Sequence, residues 1–165
     1  KELKGYISKL YGTVNQYSNI AISGNKTLDV IISKYNTLCA NKNISISINV
    51  KTANLTDIED MDLSAILNNA FDNAVEAAQQ SSVKVISVDI YTKKLFEIIK
   101  IQNSCDFAPI TENKRLLTSK KEKDLHGFGI ESITRAIKKY DGILDWNYDE
   151  ESKIFELTIA IPKSK

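Results

Sequence analysis

A polar stripe follows one face of a predicted amphipathic helix, at positions i, i+4, i+7 and i+11: Asn69, Asn73, Glu76 and Gln80. Solvated helix faces usually carry Lys, Glu, Arg and Gln, because asparagine is a poor helix former. Amide oxygens that face one way can bind Mg²⁺ together with phosphate oxygens. The stripe therefore indicates a ligand site, and the alternative reading of the same spacing is a solvated helix face.

Two glycines separated by one residue lie between a long irregular stretch and a further predicted helix, in the run His126-Gly127-Phe128-Gly129-Ile130. At a helix N-terminus, glycines bring bare backbone N–H groups and the positive end of the helix dipole toward an anion. Such a pair also starts many helices and tight turns, so alone it is weak evidence for phosphate binding. The polar stripe upstream of it strengthens the prediction.

Hydrophobic periodicity predicts the helices that position these two motifs. Apolar residues recur at spacings of three and four over four segments, residues 3–14, 28–39, 63–80 and 129–140. The stripe lies on the third of these helices, and Asp60 or Asp62 is its predicted N-cap.

The remaining segments predict strands joined mostly by tight turns. Apolar and polar residues alternate, or β-branched residues cluster, over residues 44–50, 83–91, 96–103, 143–148 and 154–161. Turns are predicted at 92–94 and 149–152, and residues 104–125 form a long irregular stretch of the kind that is often a functional lid. We therefore expect an α+β fold, a two-layer sandwich of helices on a mixed, mainly antiparallel sheet.

The composition excludes several classes of function. The chain has 165 residues and a net charge of +1, so neither nucleic acid nor an anionic membrane is an expected partner. Two cysteines and one histidine form no metal-ligand spacing and no disulfide framework, as in a protein of the reduced cytosol. No apolar stretch approaches the roughly 20 residues of a membrane span, and no signal peptide opens the chain. Because the sequence begins at Lys1 rather than at methionine, we expect a fragment of a longer protein.

Residues 69–77, Asn-Ala-Phe-Asp-Asn-Ala-Val-Glu-Ala, resemble the N box of the gyrase, Hsp90, histidine kinase and MutL ATPase superfamily. The run over residues 126–130 is similar to the second glycine box of that superfamily, and the order of elements also matches. Residues 24–31, Gly-Asn-Lys-Thr-Leu-Asp-Val-Ile, are typical of the histidine kinases that sense peptide pheromones. The resemblance implies a Bergerat-type ATP-binding domain over residues 23–165. Residues 1–22 would then be a C-terminal helix and linker of the dimerising phosphoacceptor bundle.

The resemblance also implies a role for individual residues. Asn73 would coordinate Mg²⁺, and Asn69 would contact the metal or the phosphates of ATP. The other implied nucleotide-binding residues are Glu76, Asn103, Lys120, Lys121, His126, Gly127, Phe128 and Gly129. Lys120 or Lys121 would contact the γ-phosphate, with a solvated charge cluster as the alternative.

Two departures from the family pattern concern the base site and the phosphoacceptor. Most members carry Asp-x-Gly-x-Gly before the lid, with the aspartate reading adenine, whereas this strand ends Asn103-Ser104-Cys105-Asp106. The adenine contact is therefore assigned to Asn103 by strand position alone. No phosphoacceptor histidine is present, since His126 follows the lid and is expected to make a local contact.

The resemblance implies the catalytic domain of a two-component sensor histidine kinase, which transfers the γ-phosphoryl of ATP to a histidine on a bundle domain absent from this chain. The implied partners are that bundle domain, a homodimer in the full-length kinase, and a response regulator. The domain would be the cytoplasmic part of a membrane-bound receptor. The alternatives are an ATP-driven clamp or ATPase of the same superfamily, a protein serine kinase, and a dimerising pseudokinase. Asn69 stands where the clamp ATPases carry a glutamate base, and an amide cannot accept a proton from water.

Overall fold

The computed structural model describes residues 23–53, 55–112, 115–116 and 129–164. Three helices lie within these ranges: α1, Lys26–Asn41; α2, Asp60–Gln80; and α3, Gly129–Lys138. The strands are β1 Ser45–Lys51, β2 Val85–Lys93, β3 Phe96–Ser104, β4 Thr111–Glu112, β5 Arg115–Leu116, β6 Ile143–Asp149 and β7 Ile154–Pro162. The helix predicted over residues 3–14 lies outside the described residues.

Five of the strands form one mixed sheet in the order β1-β2-β3-β7-β6. β1 pairs with β2 in parallel, and the other three pairs are antiparallel. The helices pack on one face of this sheet, so the predicted two-layer α+β architecture is confirmed. The parallel pair is possible because the connection between β1 and β2 passes through α2, whereas the hairpins β2–β3 and β6–β7 need only short turns.

The core lies between α2 and the sheet. The apolar face of α2 is buried as the periodicity predicts: Leu63, Ile66, Leu67, Ala70, Phe71, Ala74, Val75 and Ala78. Alternate residues of the central strands meet it, among them Val88, Ile99 and Ile159, which are fully buried. Tyr35 of α1 stacks on Phe71 with ring centroids 4.5 Å apart. The burial of these side chains supplies most of the driving force for the fold.

Gly24 and Asn25 shape the start of α1. Gly24 has φ +84°, a backbone conformation that glycine adopts without strain. The Asn25 side chain then caps α1 by accepting a hydrogen bond from the Leu28 N–H at 3.1 Å. It also donates to the Leu55 carbonyl at 3.3 Å, which ties the helix start to the loop after β1.

The prediction that Asp60 or Asp62 caps α2 is wrong. The helix begins one residue after Glu59, which occupies the cap position without a side-chain hydrogen bond. Asp60 instead accepts a hydrogen bond from the Thr27 hydroxyl at 2.7 Å. Asp62, 8% exposed, accepts from Lys139 Nζ at 2.8 Å and from the Tyr140 hydroxyl at 2.8 Å. Both carboxylates therefore serve contacts between elements rather than the helix end.

Other boundaries differ by a few residues. Thr92 and Lys93 continue β2, so the turn falls at Lys94 and Leu95, and Lys94 has φ +56°. The stretch predicted as irregular contains the short hairpin β4–β5. α3 ends at Lys138, two residues earlier than predicted.

Candidate functional site

Helices α2 and α3 run antiparallel, and this packing brings the polar stripe to the start of α3. At one end, Gly129 lies against the Asn73 side chain: a Cβ added to Gly129 would stand 3.2 Å from Asn73 Nδ2 and 3.3 Å from its Oδ1. At the other end, the Asp62 carboxylate bonds to Lys139 and Tyr140 just beyond α3. Because Gly129 has no Cβ, the backbone at the start of α3 approaches the Asn73 amide without displacing it.

The two stripe asparagines differ in environment. Asn73 is exposed and Asn69 is half-buried. Asn69 Nδ2 donates to the Ala65 carbonyl at 2.7 Å and to the Ser132 hydroxyl at 3.3 Å, while its Oδ1 would be 3.7 Å from a Cβ on Gly129. The amide oxygen of Asn69 thus lies on the side of the Gly129 backbone.

The residues at the α2–α3 crossing fit a hard divalent cation only in partnership with phosphate. Asn69 and Asn73 supply neutral oxygen donors, which Mg²⁺ accepts, but a cation held by two amides needs anionic ligands from elsewhere. Among the described residues, no group of three or more His, Cys, Asp or Glu side chains could hold a metal ion. The start of α3 offers backbone N–H groups without intrahelical partners beside these amides, and such groups bind phosphate oxygens. The arrangement therefore suits a metal–phosphate complex better than a bare ion.

Asn103 lies at the end of β3 on the helix-facing side of the sheet. Its neighbours across the sheet are Ile86 of β2 and Phe155 of β7. The side chain is 3% exposed, and its Nδ2 donates to the Ser104 carbonyl at 3.0 Å. Asn103 lies on the same face of β3 as the fully buried Ile99. Its amide is therefore buried between the sheet and the helices and does not lie on the exposed face of the sheet.

The segment after β3, where the family's glycine pattern was expected, is held by hydrogen bonds to other elements. Asp106 accepts from the Ser82 backbone N–H at 2.7 Å, which joins it to the loop after α2. The Tyr148 hydroxyl donates to the Cys105 carbonyl at 2.9 Å, and the Cys105 N–H donates to the Lys153 carbonyl at 2.8 Å. Asp106 therefore has a structural partner at this position. Cys39 and Cys105 are free thiols.

A second polar group on α2 faces α1 and is distinct from the stripe. The Tyr35 hydroxyl donates to Asp72 Oδ1 at 2.6 Å, and Asn68 Oδ1 accepts from Lys34 Nζ at 2.7 Å. Burial, and then the hydrogen bond to Asp72, raise the pKa of Tyr35 above its ordinary value. Asn68 therefore has a packing role between helices, which offsets its poor helix propensity.

The structure brings together four of the predicted site residues: Asn69, Asn73 and Gly129 at the crossing of α2 and α3, and the half-buried Glu76 one turn after Asn73. Asn103 lies apart from them, at the end of β3. The remaining predicted residues lie outside the described residues: Lys120, Lys121, His126, Gly127 and Phe128.

Sequence reasoning missed Ser132. Its contact with Asn69 depends on the packing of two helices from distant parts of the chain. A signal was nevertheless present, because Ser132 follows Gly129 by three residues, and residues three apart lie on the same face of a helix.

A family model described as a GHKL domain matches residues 58–162. The fold is similar to that of the catalytic domain of histidine kinase ThkA, with a TM-score of 0.65 at 17% identity over 84% of this chain and 91% of that one. The mycobacterial sensor histidine kinase MprB gives a TM-score of 0.61 at 15% identity, over 83% of this chain and 93% of the other. The histidine kinase AdeS of Acinetobacter baumannii gives 0.60 at 12% identity, over 100% of this chain and 84% of that one.

No curated protein matched the chain by sequence. Within the part of the chain that the structure describes, none of the helices has both the length and the hydropathy of a membrane span.

Proposed function

The chain belongs to the GHKL domain family, and on that premise we propose that it binds Mg-ATP and transfers the γ-phosphoryl group to a histidine on a separate bundle domain. The observation that carries this proposal is the contact of Gly129 with the Asn73 amide at the start of α3. The start of α3, whose first backbone N–H groups have no intrahelical partners, then lies beside amide oxygens, a combination that suits a metal-bound triphosphate.

We propose a role for each predicted site residue. Backbone N–H groups at the start of α3 bind phosphate oxygens, and the Asn73 and Asn69 oxygens would hold Mg²⁺. When bound, the metal neutralises charge on the phosphates. The chain contributes positioning and electrostatic stabilisation, which are most of what phosphoryl transfer needs from a protein. Lys120 and Lys121 are proposed as γ-phosphate contacts, and Asn103 as the contact to the base. Glu76, His126, Gly127 and Phe128 are proposed to line the same nucleotide site.

We further propose that residues 23–165 are the ATP-binding domain of a pheromone-sensing receptor kinase and that residues 1–22 belong to its dimerising bundle. The fold similarity to sensor histidine kinases supports a two-component role, in which the phosphoryl group passes from the bundle histidine to a response regulator. Such a domain would lie on the cytoplasmic side of a receptor membrane.

The experiment is phosphoryl transfer in trans. The chain is incubated with labelled ATP and Mg²⁺, with and without a separate bundle domain that carries an acceptor histidine. We expect acid-labile, base-stable label on the bundle domain and none on the chain alone. The comparison variant is Asn73→Ala, which should strongly reduce transfer at limiting ATP while the domain stays folded.

Two results would contradict the proposal. Labelling of His126 in the isolated chain would give the acceptor role to this domain itself. Steady ATP hydrolysis without transfer to any bundle domain would favour the ATP-driven clamp.

A further inference from the structure

The Ser132 side chain lies on α3 at the inner edge of the candidate metal site. Ser132 is half-buried, and its Oγ accepts the hydrogen bond from Asn69 Nδ2 at 3.3 Å. The other described hydroxyl of α3, Thr134, is exposed and donates to the Ile130 carbonyl of its own helix at 2.8 Å. Ser132 is therefore the hydroxyl of this helix that reaches the polar stripe.

The hydrogen bonds of Asn69 determine which way its amide faces. An asparagine amide has two N–H donors on one atom and an acceptor oxygen on the other. Both donors of Asn69 are used within the protein, one by the Ala65 carbonyl and one by Ser132 Oγ. The oxygen is left on the side of Gly129. Because only the oxygen can bind a cation, an amide flipped by 180° would present the wrong atom to it.

We propose that Ser132 is a positioning residue that holds the Asn69 amide with its oxygen toward the metal–phosphate site. This inference rests on the proposed function. Ser132 acts through Asn69 and does not itself touch the nucleotide. The Ala65 carbonyl, which can only accept, sets the orientation of the amide, and the Ser132 hydroxyl holds the amide in place. Without the hydroxyl, one Asn69 N–H loses its protein partner and the oxygen is held less firmly toward the site.

The test is a double-mutant cycle read out by binding, not by activity. The affinity of the full chain for a non-hydrolysable ATP analogue is measured by calorimetry with and without Mg²⁺. The variants are Ser132→Ala, Asn69→Ala and the double variant, with Ser132→Thr to restore the hydroxyl and Thr134→Ala as the matched control. We expect Ser132→Ala to weaken Mg²⁺-dependent binding by about three- to tenfold, the effect of one neutral hydrogen bond. We expect Ser132→Thr to recover most of it.

The cycle separates this inference from the function on which it rests. If Ser132 acts through Asn69, the Ser132→Ala change has no further effect in the Asn69→Ala background. An unchanged affinity in Ser132→Ala, or a full loss that persists without Asn69, would overturn the positioning role alone. A wild-type chain that binds no Mg-nucleotide would overturn the proposed function and this inference together.

Discussion

Replacement of Gly129 by alanine separates binding from stability. The added methyl group would stand 3.2 Å from Asn73 Nδ2, where ordinary van der Waals contacts begin at 3.4 Å, so the amide must move by a few tenths of an ångström. Because Asn73 is exposed, we expect its amide to make this movement. Gly129 does not have a positive φ, so alanine fits the backbone, and the substitution should stabilise the fold by about 0.4–1 kcal/mol through the unfolded state.

The same movement should weaken nucleotide binding. A complete loss of the Asn73 contact to a charged group costs about 1.5–3 kcal/mol, and Asn73→Ala should show this full effect. A displaced amide keeps part of the contact, so Gly129→Ala should cost about 1–1.5 kcal/mol, or roughly five- to twelvefold in affinity. Calorimetric titration with a non-hydrolysable ATP analogue and Mg²⁺ measures this cost, and thermal unfolding of the same samples measures stability.

A combined variant tests the reasoning. If the methyl group acts by displacing Asn73, Gly129→Ala should have no further effect in the Asn73→Ala background. A loss of equal size in both backgrounds would show that the methyl group blocks the phosphates directly. A lowered unfolding temperature in Gly129→Ala would refute the claim that Asn73 moves freely.

Three further predictions concern the base, acid stability and packing. Asn103→Asp should increase the preference for ATP over GTP by about 1–2 kcal/mol, because a carboxylate repels the O6 of guanine, and an unchanged ratio in competition binding would place Asn103 outside the base site. The hydrogen bonds from Lys139 and then Tyr140 lower the pKa of Asp62 in the folded protein below 3.8. These bonds therefore stabilise the fold fully above pH 3.8, and their contribution to the free energy of unfolding is lost as the pH falls through the pKa of Asp62 in the folded protein. Between pH 7 and pH 3, the free energy of unfolding measured in urea should therefore fall less in Lys139→Met than in the wild type. An equal fall in both proteins would contradict this. Gly142→Ala places a methyl group 2.9 Å from Ile137 Cβ and should cost about 1–3 kcal/mol, seen as a fall in Tm of about 2–12 °C, whereas an unchanged Tm would show that the site relaxes.

Local patterns predicted the elements, and non-local contacts account for most of the differences. The apolar face of α2 was predictable because burial follows the helical period. Asp62 was misassigned because its partners, Lys139 and Tyr140, are distant in sequence, so the local signal for a cap could not reveal them. The same limit hid the contact between Ser132 and Asn69.

The sequence predicted the residues of the candidate site but not how the described ones are arranged. The spacing of Asn69 and Asn73 placed both on one helix face, and the glycine pair indicated a phosphate-binding helix start. Gly129 lies against Asn73 because α2 and α3 pack antiparallel, and no local sequence pattern specifies this packing. The partners of Asp72 and Asp106 likewise lie on other elements, and both form hydrogen bonds that hold elements together.

The pairing of β3 with β7 has a consequence for how the domain acquires its site. The hairpins β2–β3 and β6–β7 close over short distances in sequence, whereas β3 and β7 join two distant halves of the chain. Asn73 belongs to the first half and Gly129 to the second, so the candidate site exists only after these two halves have met, and such non-local contacts carry a loop-closure entropy cost that local hairpins avoid. A partly folded chain with only its local hairpins would therefore have no affinity for the nucleotide. Nucleotide binding should then stabilise the completed domain as a single cooperative unit, and not one subdomain of it.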